Sequence, residues 1–120
     1  MDYLDACFND LISQLKSHGY IVFLNENIGS GFHYGWVSNG SDFLYFQLTR
    51  GERIHFSIET KRYGIGLENK EIPMFLDSGI NPQFLDWAFV KAANCNIKFI
   101  SFEEYWNAKN KKMGWKYIVA

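Results

Sequence analysis

Charge of one sign, paired cysteines and long apolar runs are what this chain lacks. Twelve Lys and Arg stand against 13 Asp and Glu, for a net charge of −1. A protein that lives on nucleic acid carries a basic footprint, so nucleic acid is not an expected partner. Nor is the chain acidic enough to mimic DNA. Its one dense basic stretch, Lys109, Lys111 and Lys112, reads as the last turn of a helix, where cations suit the dipole. Cys7 and Cys95 are the only cysteines, and neither has a C-x-x-C partner. Two unpaired thiols suggest a reducing compartment. No stretch approaches the ~20 apolar residues that span a bilayer, so no membrane partner is expected. The opening Met1-Asp2-Tyr3-Leu4-Asp5 lacks the basic start and apolar run of a secretion signal. The expectation is a cytoplasmic protein.

Catalytic signatures are also scarce. There is no Gly-x-Ser-x-Gly elbow. Gly64-Ile65-Gly66 has no third glycine and does not open a helix, so it is a poor phosphate loop. His18, His33 and His55 include no pair with metal-ligand spacing on a helix. His55 and Ser57 share a strand face, but no third group stands by to orient them as a triad requires. The balance is against an enzyme, and neither a cofactor nor a metal is expected.

What the chain has in abundance is aromatic surface: 11 Phe, 7 Tyr and 4 Trp, 18% of its 120 residues. A domain of this size buries roughly 65% of the surface its unfolded chain exposes, and one core will not hide so many rings. Some of them should lie on a face that awaits a partner.

The pattern along the chain predicts a single α+β domain over residues 1–120. Leu4, Cys7, Phe8, Leu11, Ile12 and Leu15 keep helical spacing without a miss, and Gly19 stops that helix. Strands are expected over residues 20–24, 32–38, 43–49 and 53–60. Asn39-Gly40 is a strong hairpin signal. Residues 72–76 read as a short turn. Asn81-Pro82 opens a second helix carrying Phe84, Leu85, Ala88, Phe89 and Ala92. A short strand over 97–100 follows. Ser101 and Glu104 then form a capping box for a third helix, which Gly114 ends, and a last strand covers 115–119. The expected architecture is an antiparallel β-meander of four to six strands, packed by an N-terminal helix and two C-terminal helices.

Register sorts the side chains. A two-residue Asn39-Gly40 turn pairs Ser38 with Ser41, Trp36 with Phe43 and Tyr34 with Tyr45. A three-residue loop in the next hairpin pairs Leu48 with Ile54 and Phe46 with Phe56. One face is then aliphatic, with Leu44, Phe46, Leu48, Ile54, Phe56 and Ile58, and the first helix should pack there, with Gly35 leaving room for it. The other face is mixed. Tyr34, Trp36, Phe43 and Tyr45 lie beside Arg53, His55 and Glu59, and Tyr, Trp and Arg dominate binding hot spots. These seven are the candidate binding residues, unless the C-terminal helices cover them as a second core.

Asp42 followed by Glu59-Thr60-Lys61 resembles the Asp…Glu-x-Lys signature of the restriction-endonuclease-like nucleases, which also lead with a helix and an antiparallel meander. That resemblance implies Asp42 and Glu59 as metal ligands and Lys61 as the residue that helps activate water. Parity opposes it: Asp42 aligns with Leu44 and Phe46, whereas Glu59 and Lys61 belong to the mixed face, and carboxylates that share a metal need one face. The reading preferred on sequence is a non-catalytic protein-binding module, a small bacterial or phage inhibitor of the immunity or anti-defence kind. A metal-dependent nuclease and a small-ligand-binding domain are the alternatives. An exposed edge strand could also pair two copies into a homodimer.

Overall fold

The computed structural model describes residues 3–26, 33–49, 53–58, 72–75, 79–94, 101–110 and 113–120. Within them lie α1 (Tyr3–Ser17), β1 (Ile21–Asn25), β2 (Tyr34–Ser38), β3 (Phe43–Thr49), β4 (Arg53–Ser57), β5 (Ile72–Phe75), α2 (Pro82–Ala93), α3 (Phe102–Asn110) and β6 (Tyr117–Val119). The six strands form one sheet in the order β5-β4-β3-β2-β1-β6. Every neighbouring pair is antiparallel. The fold is α+β: a meander with its last strand returned beside the first.

Local chemistry sets the ends of the helices. Gly19 adopts φ 87° after α1, and Gly114 adopts φ 67° after α3. The Asn81 side chain accepts from the backbone N–H of Gln83 at 3.0 Å and of Phe84 at 3.4 Å, satisfying two donors of the first turn of α2. The Ser101 hydroxyl accepts from the N–H of Glu104 at 3.1 Å.

Two cores flank the sheet. On the aliphatic face, Phe8, Leu11 and Leu15 of α1 meet Val22, Val37, Leu44, Phe46, Leu48, Ile54 and Phe56. Leu85, Ala88, Phe89 and Ala92 of α2 join the same core. Leu11, Leu15 and Leu44 are fully buried, and each such side chain contributes about 1.5–3 kcal/mol. Gln14 ties the two helices together, its side-chain oxygen accepting from Ile80 N–H at 3.2 Å just before α2. On the other face α3 stands alone. Its Phe102, Tyr105 and Trp106 cover Trp36, with Phe23, Tyr34, Phe43, Tyr45 and Tyr117 packed around them.

Several expectations need correction. The first hairpin pairs Ser38 with Phe43, Trp36 with Tyr45 and Tyr34 with Gln47. Residues 39–42 therefore form the turn, and the pairing lies two residues from that of an Asn39-Gly40 bend. The cause is the Asn39 side chain, whose oxygen accepts from the N–H groups of Ser41 at 3.0 Å and Asp42 at 2.9 Å. This Asx turn widens the loop. Because side chains alternate with a period of two, a slip of two leaves both faces as expected. The second hairpin keeps the expected register, with Leu48 opposite Ile54 and Phe46 opposite Phe56.

Residues 72–75 are not a turn but strand β5, paired with β4. Pro73 is compatible with that place because β5 is an edge, where one missing donor is tolerated. Gly35 makes room for a strand rather than for α1. A Cβ there would lie 2.8 Å from the Phe23 carbonyl oxygen, 2.9 Å from Leu24 Cδ2 and 3.1 Å from Phe46 Cζ. The strand expected over 97–100, the segment 61–71, and Glu59 and Lys61 lie outside the described residues.

Candidate binding surfaces

Most of the aromatic face is a packed layer. Trp36 is only 3% exposed, and its Nε1 donates to the Tyr105 hydroxyl at 3.1 Å. Phe43 is half-buried, its ring 4.8 Å from that of Tyr105 and edge-on to Phe102 at 5.6 Å. Phe23 stacks on Phe102 at 4.0 Å with a 12° interplanar angle. Tyr34 and Tyr45 are half-buried and join the layer through Trp36, at 5.9 and 5.7 Å. Burial pushes the Tyr34 hydroxyl pKa up, an effect opposed by a hydrogen bond with Asn25. Arg53 is exposed and His55 half-buried, both on β4. His55 lies opposite Gln47, next to the pairing of Tyr45 with Ser57. The structure thus brings Tyr34, Trp36, Phe43 and Tyr45 together beneath α3. It leaves a more open strip of Tyr45, Gln47, His55 and Arg53 on the neighbouring strands. Glu59 lies outside the described residues.

A second surface is absent from the sequence reading. On α2, Trp87 is 50% exposed and Val90 59% exposed. Phe84 packs against the Trp87 ring at 6.0 Å, and the Lys91 ammonium lies 5.5 Å from its centroid. Beside this ridge a cleft of about 250 Å³ opens between α2 and the β2–β3 turn, lined by Asn39, Asp42, Asp86, Phe89, Val90 and Ala93. The signal for it was in the helix: Trp87 and Val90 are large apolar residues that fall off the stripe of 85, 88, 89 and 92 that faces the core.

The cleft has a clear electrostatic character. Two carboxylates, Asp42 and Asp86, stand over an apolar wall. Asp86 also accepts from the Tyr20 hydroxyl at 3.2 Å. The Tyr20 pKa is raised, first by burial, then by the charge of Asp86 and by this hydrogen bond. A volume of about 250 Å³ is below the ~300–1,000 Å³ of pockets that enclose drug-sized ligands. The lining of the cleft sets the apolar Phe89, Val90 and Ala93 beside the carboxylates of Asp42 and Asp86.

Of the residues of the nuclease resemblance, Asp42 is described, whereas Glu59 and Lys61 lie outside the described residues. Asp42 lines the α2 cleft on the aliphatic side of the sheet. No group of three or more His, Cys, Asp and Glu among the described residues could hold a metal. His33 is buried, with Nε2 at 2.7 Å from Asp5 Oδ1 and its ring edge-on to Phe8 at 5.6 Å. Among the described residues no helix is long and apolar enough to cross a membrane. No protein-family model, curated protein or solved structure matches the chain.

Proposed function

We propose that this chain is a non-catalytic protein-binding module, an inhibitor of the immunity or anti-defence kind that blocks a partner enzyme. Its docking surface is the Trp87–Val90 ridge with the Asp42/Asp86 cleft. The observation that carries the reading is the half-exposed Trp87 beside an acidic, side-chain-sized cleft. Tryptophan at the centre of a patch is the commonest kind of hot spot, and a desolvated charge beside it supplies specificity. The partner surface that fits presents an Arg or Lys flanked by apolar residues.

Affinity capture under native conditions, followed by titration of the captured enzyme, tests the proposal. A one-to-one complex is expected, with the enzyme's activity falling as the complex forms. Trp87→Ala should weaken it by about 2 kcal/mol or more, near 30-fold. Asp86→Lys should weaken it further at low salt. Absence of a stoichiometric partner would overturn the proposal. Loss of binding in Tyr45→Ala and Arg53→Glu but not in Trp87→Ala would move the site to the sheet strip beside α3.

A further inference from the structure

We infer that two copies of this chain join β6 to β6 about a two-fold axis at Ile118, extending the sheet across the pair. The inference stands on the geometry of one edge and makes no use of the α2 surface, so the two proposals fail separately.

The argument begins with hydrogen-bond alternation. Antiparallel strands exchange bonds at every second residue pair, and the groups between point away. Glu26 N–H donates to the Lys116 carbonyl at 2.8 Å, and Ala120 N–H donates to the Val22 carbonyl at 2.9 Å. In the observed register these are the pairs on either side of Leu24–Ile118. Lys116, Ile118 and Ala120 therefore spend their backbone groups on β1. The N–H and C=O of Tyr117 and Val119 point outward, to the side where no described strand follows.

Among the described residues no strand follows β6, and its own side chains do not guard that edge. Natural sheets blunt an edge with proline, charge or a cover. The opposite edge, β5, carries Pro73, whereas Tyr117, Ile118 and Val119 include neither proline nor charge. Ile118 is 45% and Val119 61% exposed, and Ile21, Met113 and Trp115 add exposed apolar surface nearby.

A second copy fits this edge because the edge is complementary to itself. Placing Tyr117 opposite Val119 of the second copy uses both outward residues of each strand. Four hydrogen bonds form, two at each Tyr117–Val119 pair. Ile118 then faces Ile118 across the axis in a pair without hydrogen bonds, where Cα atoms approach to about 4.5 Å. A two-fold contact brings identical residues together, so it tolerates no charge near its axis. The nearest lysines, Lys116 of each copy, lie at opposite ends of the new ladder, about 14 Å apart. That exceeds the screening length of ~8 Å in physiological salt.

Sedimentation velocity over a concentration series, with disulfide trapping, tests the inference. The wild-type chain should shift from monomer to dimer below a concentration on the order of 1 mM. Ile118→Lys places two cations at the axis and should weaken dimerisation at least tenfold. Val119→Pro removes an outward donor without touching the β1 ladder and should do the same. Ile118→Cys should give a disulfide-linked dimer under mild oxidation, well above the background from the wild-type chain, because the cross-axis spacing suits a disulfide. A monomer throughout the series, whether or not another protein's strand occupies the edge, overturns the inference. A dimer unaffected by Ile118→Lys and Val119→Pro overturns it too.

Discussion

Trp36 and Tyr105, 69 residues apart in the chain, are joined by a buried hydrogen bond of 3.1 Å from the indole nitrogen to the phenol oxygen. Trp36 is in the middle of the sheet and Tyr105 in the middle of α3. The bond pins the helix to the sheet in one rotational setting, which apolar contact alone does not specify. Tyr105→Phe keeps the ring and removes the acceptor, leaving a buried indole N–H unpaired. The expected loss is about 1–3 kcal/mol in urea unfolding. A variant within about 0.5 kcal/mol of wild type would show that the bond contributes little beyond the packing.

Gly35 tests the packing of the sheet itself. A methyl group there meets the Phe23 carbonyl oxygen at 2.8 Å, a backbone atom that moves only if β1 moves. Gly35→Ala should therefore destabilise the chain by about 1–3 kcal/mol, despite the usual advantage of alanine in a folded segment. A neutral or stabilising result in equilibrium unfolding would mean that β1 can yield at no cost.

Alkaline pH probes Tyr20. Its raised pKa means that the folded state favours the neutral phenol. As pH rises above the ordinary value of 10.0 toward the folded one, the unfolded chain gives up its proton first. The contribution is present below that window and is lost through it. Difference absorbance at 295 nm between wild type and Tyr20→Phe should place the Tyr20 transition above 10.0. Asp86→Asn should bring it down part of the way, since burial, the largest cause, remains. No movement in Asp86→Asn would dissociate the shift from the carboxylate.

The two faces of the sheet are legible in the sequence, and the reason is robust. Leu44, Phe46, Leu48, Ile54 and Phe56 alternate with Tyr45, Gln47, Arg53 and His55, and alternation survives an even slip of register. That tolerance explains why the pairing of Trp36 with Phe43 could be wrong while the described side chains of β2, β3 and β4 stayed on their expected faces. The slip itself was not legible. It depends on the Asn39 side chain folding back onto Ser41 and Asp42 in place of the tight Asn-Gly bend.

The partition of the helices was less accessible. Each of α2 and α3 offers an apolar stripe, and a stripe states that a face is buried without naming its partner. The structure sends α2, with its small and aliphatic Leu85, Ala88 and Ala92, to the aliphatic core beside α1. The aromatic α3 goes alone to Trp36. Trp36 and Phe43, candidates for binding on sequence, became the floor of a second core by that choice. Trp87, off the stripe of α2, became an exposed ridge.

The three helices, strands β1 to β4 and β6, the caps and the sorting of the sheet into two faces follow from the sequence, because each depends on residues within a turn or a strand of one another. The register of the first hairpin, the strand β5, the side on which each C-terminal helix docks, and the place of β6 at the end of the described sheet were decided only by tertiary structure. Those outcomes turn on contacts between residues tens of positions apart, where several packings satisfy the same local pattern and only the summed burial separates them.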